Sequence, residues 1–286
     1  MTFGRVGDLA MVWGESLRWD DRRGRLYAVD CAAQTLHWLD DAGVSTMKLP
    51  SLPTGLGLTD GPALVACLDG GLHVVDPDAG TVELLAAYPD GMGARANDGT
   101  ADGSGNFVTG TLNMGPGPGS VWQWSAAHGW RKLADEMGNV NGPAVIEIDG
   151  VATLVCADTV AGAAFAWDYD AGTATVANRR RFADQAALGG VPDGATVDAA
   201  GGYWSCVLGV GKLARFTAAG VDRVVDVPMA NPSDVAFGGP DLDRLYVTSI
   251  ALDLGDGRPP TPDAGRVLVA DGVGVGRPEP RVVLSG

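Results

Sequence analysis

Positive charge is scarce in this chain. Twenty Lys and Arg stand against 35 Asp and Glu, a net charge of −15 over 286 residues. That balance argues against nucleic acid or an anionic membrane as a partner, because both call for a basic patch. The one basic run, Arg179-Arg180-Arg181, is short and reads as a solvated loop. Charged residues are only 19% of the chain and hydrophobic ones 46%, so it is globular rather than disordered. No apolar run approaches the length of a membrane span. The first residues, "MTFGRVGDLAMVWGES", lack a basic start followed by an apolar core, so no secretion signal is read and the expected compartment is the cytoplasm.

Reactive side chains are also few. The four cysteines, Cys31, Cys67, Cys156 and Cys206, form no C-x-x-C pair, and each sits in an apolar, strand-like run. They read as buried free thiols rather than metal or redox groups. The three histidines, His37, His73 and His128, fall in third-strand or turn positions, and no Ser-His or Cys-His pair is visible. Helical periodicity is missing throughout; alternation and short apolar runs dominate.

Glycine is what the chain has in excess. Its 43 glycines carry no collagen period and point to many tight turns. Asp98-Gly99, Asn141-Gly142 and Asp193-Gly194 look at first like three hairpin turns. A repeat gives them another meaning. The segments "GESLRWD", "TGLGLTD", "ANDGTAD", "VNGPAVI", "VPDGATVD" and "PSDVAFG" align, recurring every 40–44 residues with one interval of 52. Each opens a unit of four short strands, and the third strand closes on turns such as "DPDAG" (76–80) and "DYDAG" (168–172). Such a period is the signature of a propeller blade. Six units predict an all-β, six-bladed β-propeller forming a single domain over 1–286. A strand at about 4–13 is expected to close the ring as the outermost strand of the last blade, removing an exposed edge.

One slot is shared by all six units, at the start of the strand that lines the central channel. It holds Glu15, Gly55, Asn97, Asn141, Asp193 and Ser233. A hairpin explanation would not put Glu15 there. The glycines that follow suit a strand start where backbones crowd the axis. Taken singly, each polar residue is better read as a structural Asx cap or strand-end hydrogen bond. Together, Glu15, Asn141 and Asp193 offer carboxylate and amide oxygens to one point. Two carboxylates converging without a cation would repel, and one would take up a proton. One divalent cation removes that conflict: oxygen donors suit Ca²⁺, Mg²⁺ or Mn²⁺, and Zn²⁺ also accepts carboxylates. The insertions 113–119, 179–190 and 251–265 all fall on the ligand-bearing face and are expected to wall a pocket. Met92, Leu112 and Met114 are expected near it.

The motifs "GESLRWDDRRGRLYAVD", "RANDGTADGSGNFVTGTL", "PDGATVDAAGGYW" and "FGGPDLDRLYVTS" resemble the senescence marker protein/gluconolactonase/luciferin-regenerating enzyme family over about residues 10–275. The resemblance implies a divalent-metal-dependent lactonase in which Glu15, Asn141 and Asp193 bind the metal. It also implies that Arg95 holds substrate oxygens and that Asn97 completes the site directly, or through substrate or water. Asp193 is the candidate general base. Asp158 reads equally as a second layer behind the site or as a turn residue. Relatives often carry an acid in the loop after "GTM" that contacts sugar hydroxyls; the loop here, "GTLNMGPGPGS", has none. The expected substrate is a small-molecule lactone, most simply an aldonolactone. Aryl lactones, esters or phosphotriesters are the alternative, and a non-catalytic cation-binding protein the third reading.

Overall fold

The computed structural model describes residues 2–92, 95–112, 118–255 and 261–285. Its strands form six sheets arranged as the blades of a propeller, antiparallel except for one short C-terminal strand. Blade one runs outward through Gly14–Asp20, Arg25–Asp30, Thr35–Asp40 and Gly43–Lys48. Blades two to five repeat this plan from innermost strands Leu56–Thr59, Ala96–Ala101, Val140–Ile148 and Val191–Val197. Blade six has only three strands of its own, starting with Pro232–Gly238. Its fourth is the N-terminal strand Gly4–Ala10, paired with Arg266–Asp271. The first strand of the chain and the last full blade thus share one sheet, which ties the ring shut.

Blades adhere because their inner strands send side chains alternately to the two neighbouring blades, and both seams are apolar, while outermost strands such as Gly43–Lys48 are largely exposed. Val155 and Ala157 of blade four pack with Tyr203, Val207 and Phe216 of blade five. Trp204 and Leu213 of blade five pack with Phe237 and Leu245 of blade six. Aromatic groups such as Tyr203, Phe216, Trp204 and Phe237 stand among aliphatic side chains in these seams, each burying a large apolar area. All four cysteines are free and buried in these seams.

Two elements differ from the sequence expectation. The run 179–181 is not a loop: it belongs to the outermost strand of blade four, Thr175–Asp184. Its arginines are held there, Arg180 by Asp168 at 2.7 Å and Arg179 over the ring of Phe165 at 4.4 Å. The expected insertion 179–190 therefore shrinks to a connection carrying one short 3₁₀ turn, Ala186–Leu188. The proposed insertions 113–119 and 251–265 lie partly outside the described residues, as does Met114 wholly.

The C-terminal segment was not foreseen at all. Arg281–Val282 adds a short parallel strand beside Leu56–Thr59, making blade two five-stranded. On its way the segment crosses the far mouth of the channel. Ala199 donates its N–H to Val275 in blade five, Arg277 donates to the Val145 carbonyl in blade four, and Val283 donates its N–H to Gly105 in blade three. Arg281 reaches Asp20 and Asp21 of blade one at 2.7 and 2.8 Å. Among the described residues, no helix is long and apolar enough to cross a membrane.

Candidate active site

Five of the six innermost strands shift register, as a β-bulge does, at or just after the shared slot: between Glu15 and Arg18, Ala96 and Gly99, Asn141 and Ala144, Pro192 and Ala195, and Pro232 and Asp234. A bulge re-aims side chains that a regular strand would send to opposite faces. Four of the six slot residues, Glu15, Asn97, Asn141 and Asp193, come together around one cavity of about 190 Å³. The other two do not. Gly55 has no side chain because a Cβ there would lie 2.8 Å from the backbone N of Gly99. Ser233 turns away and donates its hydroxyl to the Gly14 carbonyl, tying blade six to blade one.

The loops leading into the site are pinned by a repeated device. Asp30, ending the second strand of blade one, accepts the N–H groups of Val12 at 2.7 Å and Trp13 at 3.2 Å. Asp158 does the same in blade four, for Gly138 at 2.8 Å and Asn139 at 3.2 Å. Asp158 is thus a loop anchor; its carboxylate is occupied with backbone. Glycine follows Asp193 because a Cβ on Gly194 would lie 2.3 Å from Oδ1 of Asp234. The Asp-Gly and Asn-Gly pairs are channel positions rather than hairpin turns.

Trp13 is a site residue that the repeat could not reveal. Its Nε1 donates to Oε1 of Glu15 at 3.0 Å, and the guanidinium of Arg95 lies 5.9 Å from its ring centre. Arg95 also donates to Oδ1 of Asn97 at 3.3 Å. Asn97 in turn donates from Nδ2 to Oδ1 of Asn141 at 2.7 Å. Cys31, Leu112, Leu208 and Ile250 supply an apolar wall. Met92 does not: it is buried in the seam between blades two and three. No histidine lines the cavity among the described residues.

A buried charged layer, also missed, adjoins the cavity, with Asp98 in its lining. Asp98 and Asp234, each one residue after the slot, are buried with Arg18 between them. Arg18 Nη1 lies 3.4 Å from Asp234, and Nη2 lies 4.0 Å from Asp98. The guanidinium also donates to the carbonyls of Leu56 and Gly99. Burial alone would lower the pKa of Arg18, but Asp234, Glu279 and Asp98 outweigh it and raise it. Burial pushes Asp234 up to about 8, against the pull of Arg18.

Electrostatics within the cavity point the same way. Burial first, then the charge of Asp193, hold the Glu15 carboxyl well above its ordinary range. Asp193 is raised likewise by burial, then by Asp98 and Asp234. Two buried carboxyls therefore resist ionising together unless a positive charge joins them. Among the described residues no group of three or more His, Cys, Asp and Glu side chains forms a metal cluster. The cavity lining holds three carboxyls, Glu15, Asp98 and Asp193; both Asp98 oxygens are taken by the N–H groups of Gly99 and Gly142, which leaves Glu15, Asp193 and the oxygen of Asn141 as a hard, all-oxygen set of the kind a divalent cation accepts. The residues present fit such an ion.

The SMP-30/Gluconolactonase/LRE-like family matches residues 13–251. The chain belongs to that family. The matched span starts at Trp13, so every cavity residue named above falls inside it, while the N-terminal closing strand and the C-terminal segment fall outside. Pentonolactonase XacC of Haloferax volcanii is 32% identical, with 98% of this chain and 97% of that protein covered. The 6-deoxy-6-sulfogluconolactonase of Pseudomonas putida is 34% identical over 83% of each. Among solved structures, a calcium-binding protein, regucalcin, from Agrobacterium tumefaciens superposes with a TM-score of 0.87 at 28% identity, covering 98% of this chain and 97% of that one.

Proposed function

We propose that the protein is a divalent-cation-dependent lactonase that opens aldonolactones. The observation that carries this reading is the pair of carboxyls, Glu15 and Asp193, sharing one cavity with Asn141 and Arg95. The names of the two lactonase relatives support the substrate class, and that of the regucalcin structure supports the cation.

Glu15, Asn141 and Asp193 would hold the cation. When bound, it would supply Lewis-acid polarisation of a carbonyl and a lower pKa for nearby water. Asp193 has two carboxylate oxygens, so one can face the cation while the other takes a proton from the attacking water. Water adds to the lactone carbonyl carbon, the ring C–O bond breaks, and the freed hydroxyl takes a proton. The product is an open-chain hydroxy acid. Arg95 can direct two parallel N–H groups at substrate oxygens. Trp13 offers its ring as a platform beneath that guanidinium, and Asn97 presents an amide at the same rim.

The apolar wall of Cys31, Leu112, Leu208 and Ile250 favours a second reading, hydrolysis of less polar aryl lactones or esters on the same centre. A substrate panel separates the two. Turnover of pentono- and hexonolactones supports the first. Inert aldonolactones with active dihydrocoumarin support the second. A bound cation with every lactone and ester inert would leave a cation-binding protein.

A further inference from the structure

The orientation of the Asn141 amide depends on a residue that the repeat does not mark. Thr159 stands in the loop after the second strand of blade four and lines the same cavity. Its Oγ1 lies 2.9 Å from the carbonyl oxygen of Pro192 and 2.7 Å from Nδ2 of Asn141. A carbonyl can only accept, so the single hydroxyl proton goes to Pro192. Oγ1 then has only lone pairs left for Asn141, which must turn its NH₂ toward Thr159. Oδ1 of Asn141 therefore faces the cavity. A second chain agrees with this polarity. Nδ2 of Asn97 lies 3.0 Å from the Val140 carbonyl, which fixes it as a donor, and the same Nδ2 is 2.7 Å from Oδ1 of Asn141. Two backbone carbonyls, one at each end, set the direction of the whole chain.

We propose that Thr159 is a positioning residue: its hydroxyl locks the Asn141 amide with its oxygen toward the cavity and couples that residue to the strand start that carries Asp193. Pro192, which accepts the hydroxyl proton, immediately precedes Asp193, so one hydroxyl bridges the neighbouring blades four and five that carry Asn141 and Asp193. The role toward a cation rests on the proposed metal-dependent reading; the amide lock itself does not. Without the hydroxyl, the Asn141 NH₂ loses its acceptor and the amide is held through Asn97 alone, so its oxygen is less firmly kept toward the cavity. Partners that orient a metal ligand typically change metal affinity by roughly tenfold to a hundredfold when removed.

The test uses Thr159→Val, which keeps the shape and deletes the hydroxyl, and Thr159→Ser, which keeps the hydroxyl. In chelator-treated protein, NMR hydrogen exchange of the Asn141 side-chain NH₂ should be slow in wild type and in T159S and fast in T159V. Calorimetric titration with Ca²⁺ and with Mn²⁺, without substrate, should show T159V weaker by about tenfold to a hundredfold and T159S close to wild type. Equal NH₂ exchange in wild type and T159V overturns the proposal, as does equally weak binding in T159S and T159V. If wild type binds neither ion, the metal-dependent reading fails, while the exchange result still decides the lock. Circular dichroism checks folding; should T159V not fold, Thr159→Ala replaces it against T159S.

Discussion

The indole N–H of Trp13 donates to Glu15, and the same ring sits under the guanidinium of Arg95. One side chain thus touches both a candidate cation ligand and the candidate substrate clamp. Trp13→Phe keeps a ring but removes the N–H. It should weaken cation binding about tenfold, as loss of a ligand's orienting partner does, while KM for a lactone changes little. Trp13→Ala should raise KM as well, because the platform under Arg95 is gone. Calorimetry and steady-state kinetics on the two variants check the split. Equal effects of the two substitutions on KM would refute the platform role.

Arg95 touches Asn97 and Trp13, and among the described residues no carboxylate lies within ion-pair distance of it. Arg95→Ala should leave cation affinity unchanged or slightly raised, since a nearby positive charge is removed. Loss of a charged hydrogen-bond fork, about 1.5–3 kcal/mol, should lower kcat/KM roughly tenfold to a hundredfold. A variant that loses the cation instead would place Arg95 in a structural role.

Asp234 gives the apo protein a pH dependence with a definite sign. Its folded pKa, about 8, lies above the ordinary 3.8, so the folded chain holds a proton that the unfolded chain releases. Its contribution to stability is complete below the ordinary value and is lost as pH rises through about 8. The thermal midpoint of chelator-treated protein should therefore fall as pH rises through this window. Asp234→Asn should flatten that slope, and an unchanged slope would show that another group sets it.

The C-terminal segment should matter to stability rather than to chemistry. Arg281 is nearly buried against Asp20 and also donates to the Thr59 carbonyl at 2.8 Å. Arg281→Ala should cost about 1.5–3 kcal/mol, the range for hydrogen bonds to charged groups. Cation affinity, measured below the unfolding transition, should stay the same. Denaturant unfolding and calorimetry test the two halves; a large loss of affinity would mean that the far mouth controls the site.

The blades were legible because each repeats a strand pattern at a near-constant period, and the slot was legible because Glu15, Asn97, Asn141 and Asp193 fall at one place in that period. Asp98, Asp234 and Arg18 were hidden by the bulges. Strict alternation sends the residue after the slot away from the channel, whereas the bulge points neighbouring residues inward together. Trp13 and Thr159 lie in loops outside the aligned segments, so no register pointed to them. The arginines at 179–181 break alternation, but their strand is outermost and shifts register against its neighbour, so long side chains can reach Phe165 and Asp168 from either side. The parallel strand Arg281–Val282 is too short to leave a periodic trace.

The central claim is that Glu15, Asn141 and Asp193 hold one divalent cation on which lactone opening depends. The most direct measurement follows acid release from an aldonolactone by purified protein, first after chelation, then with divalent ions added back, with Asp193→Asn in parallel. After chelation, release should not exceed the spontaneous rate; adding one ion per chain should restore it in wild type and not in the variant. Full hydrolysis in excess chelator, or by Asp193→Asn, would contradict the central claim.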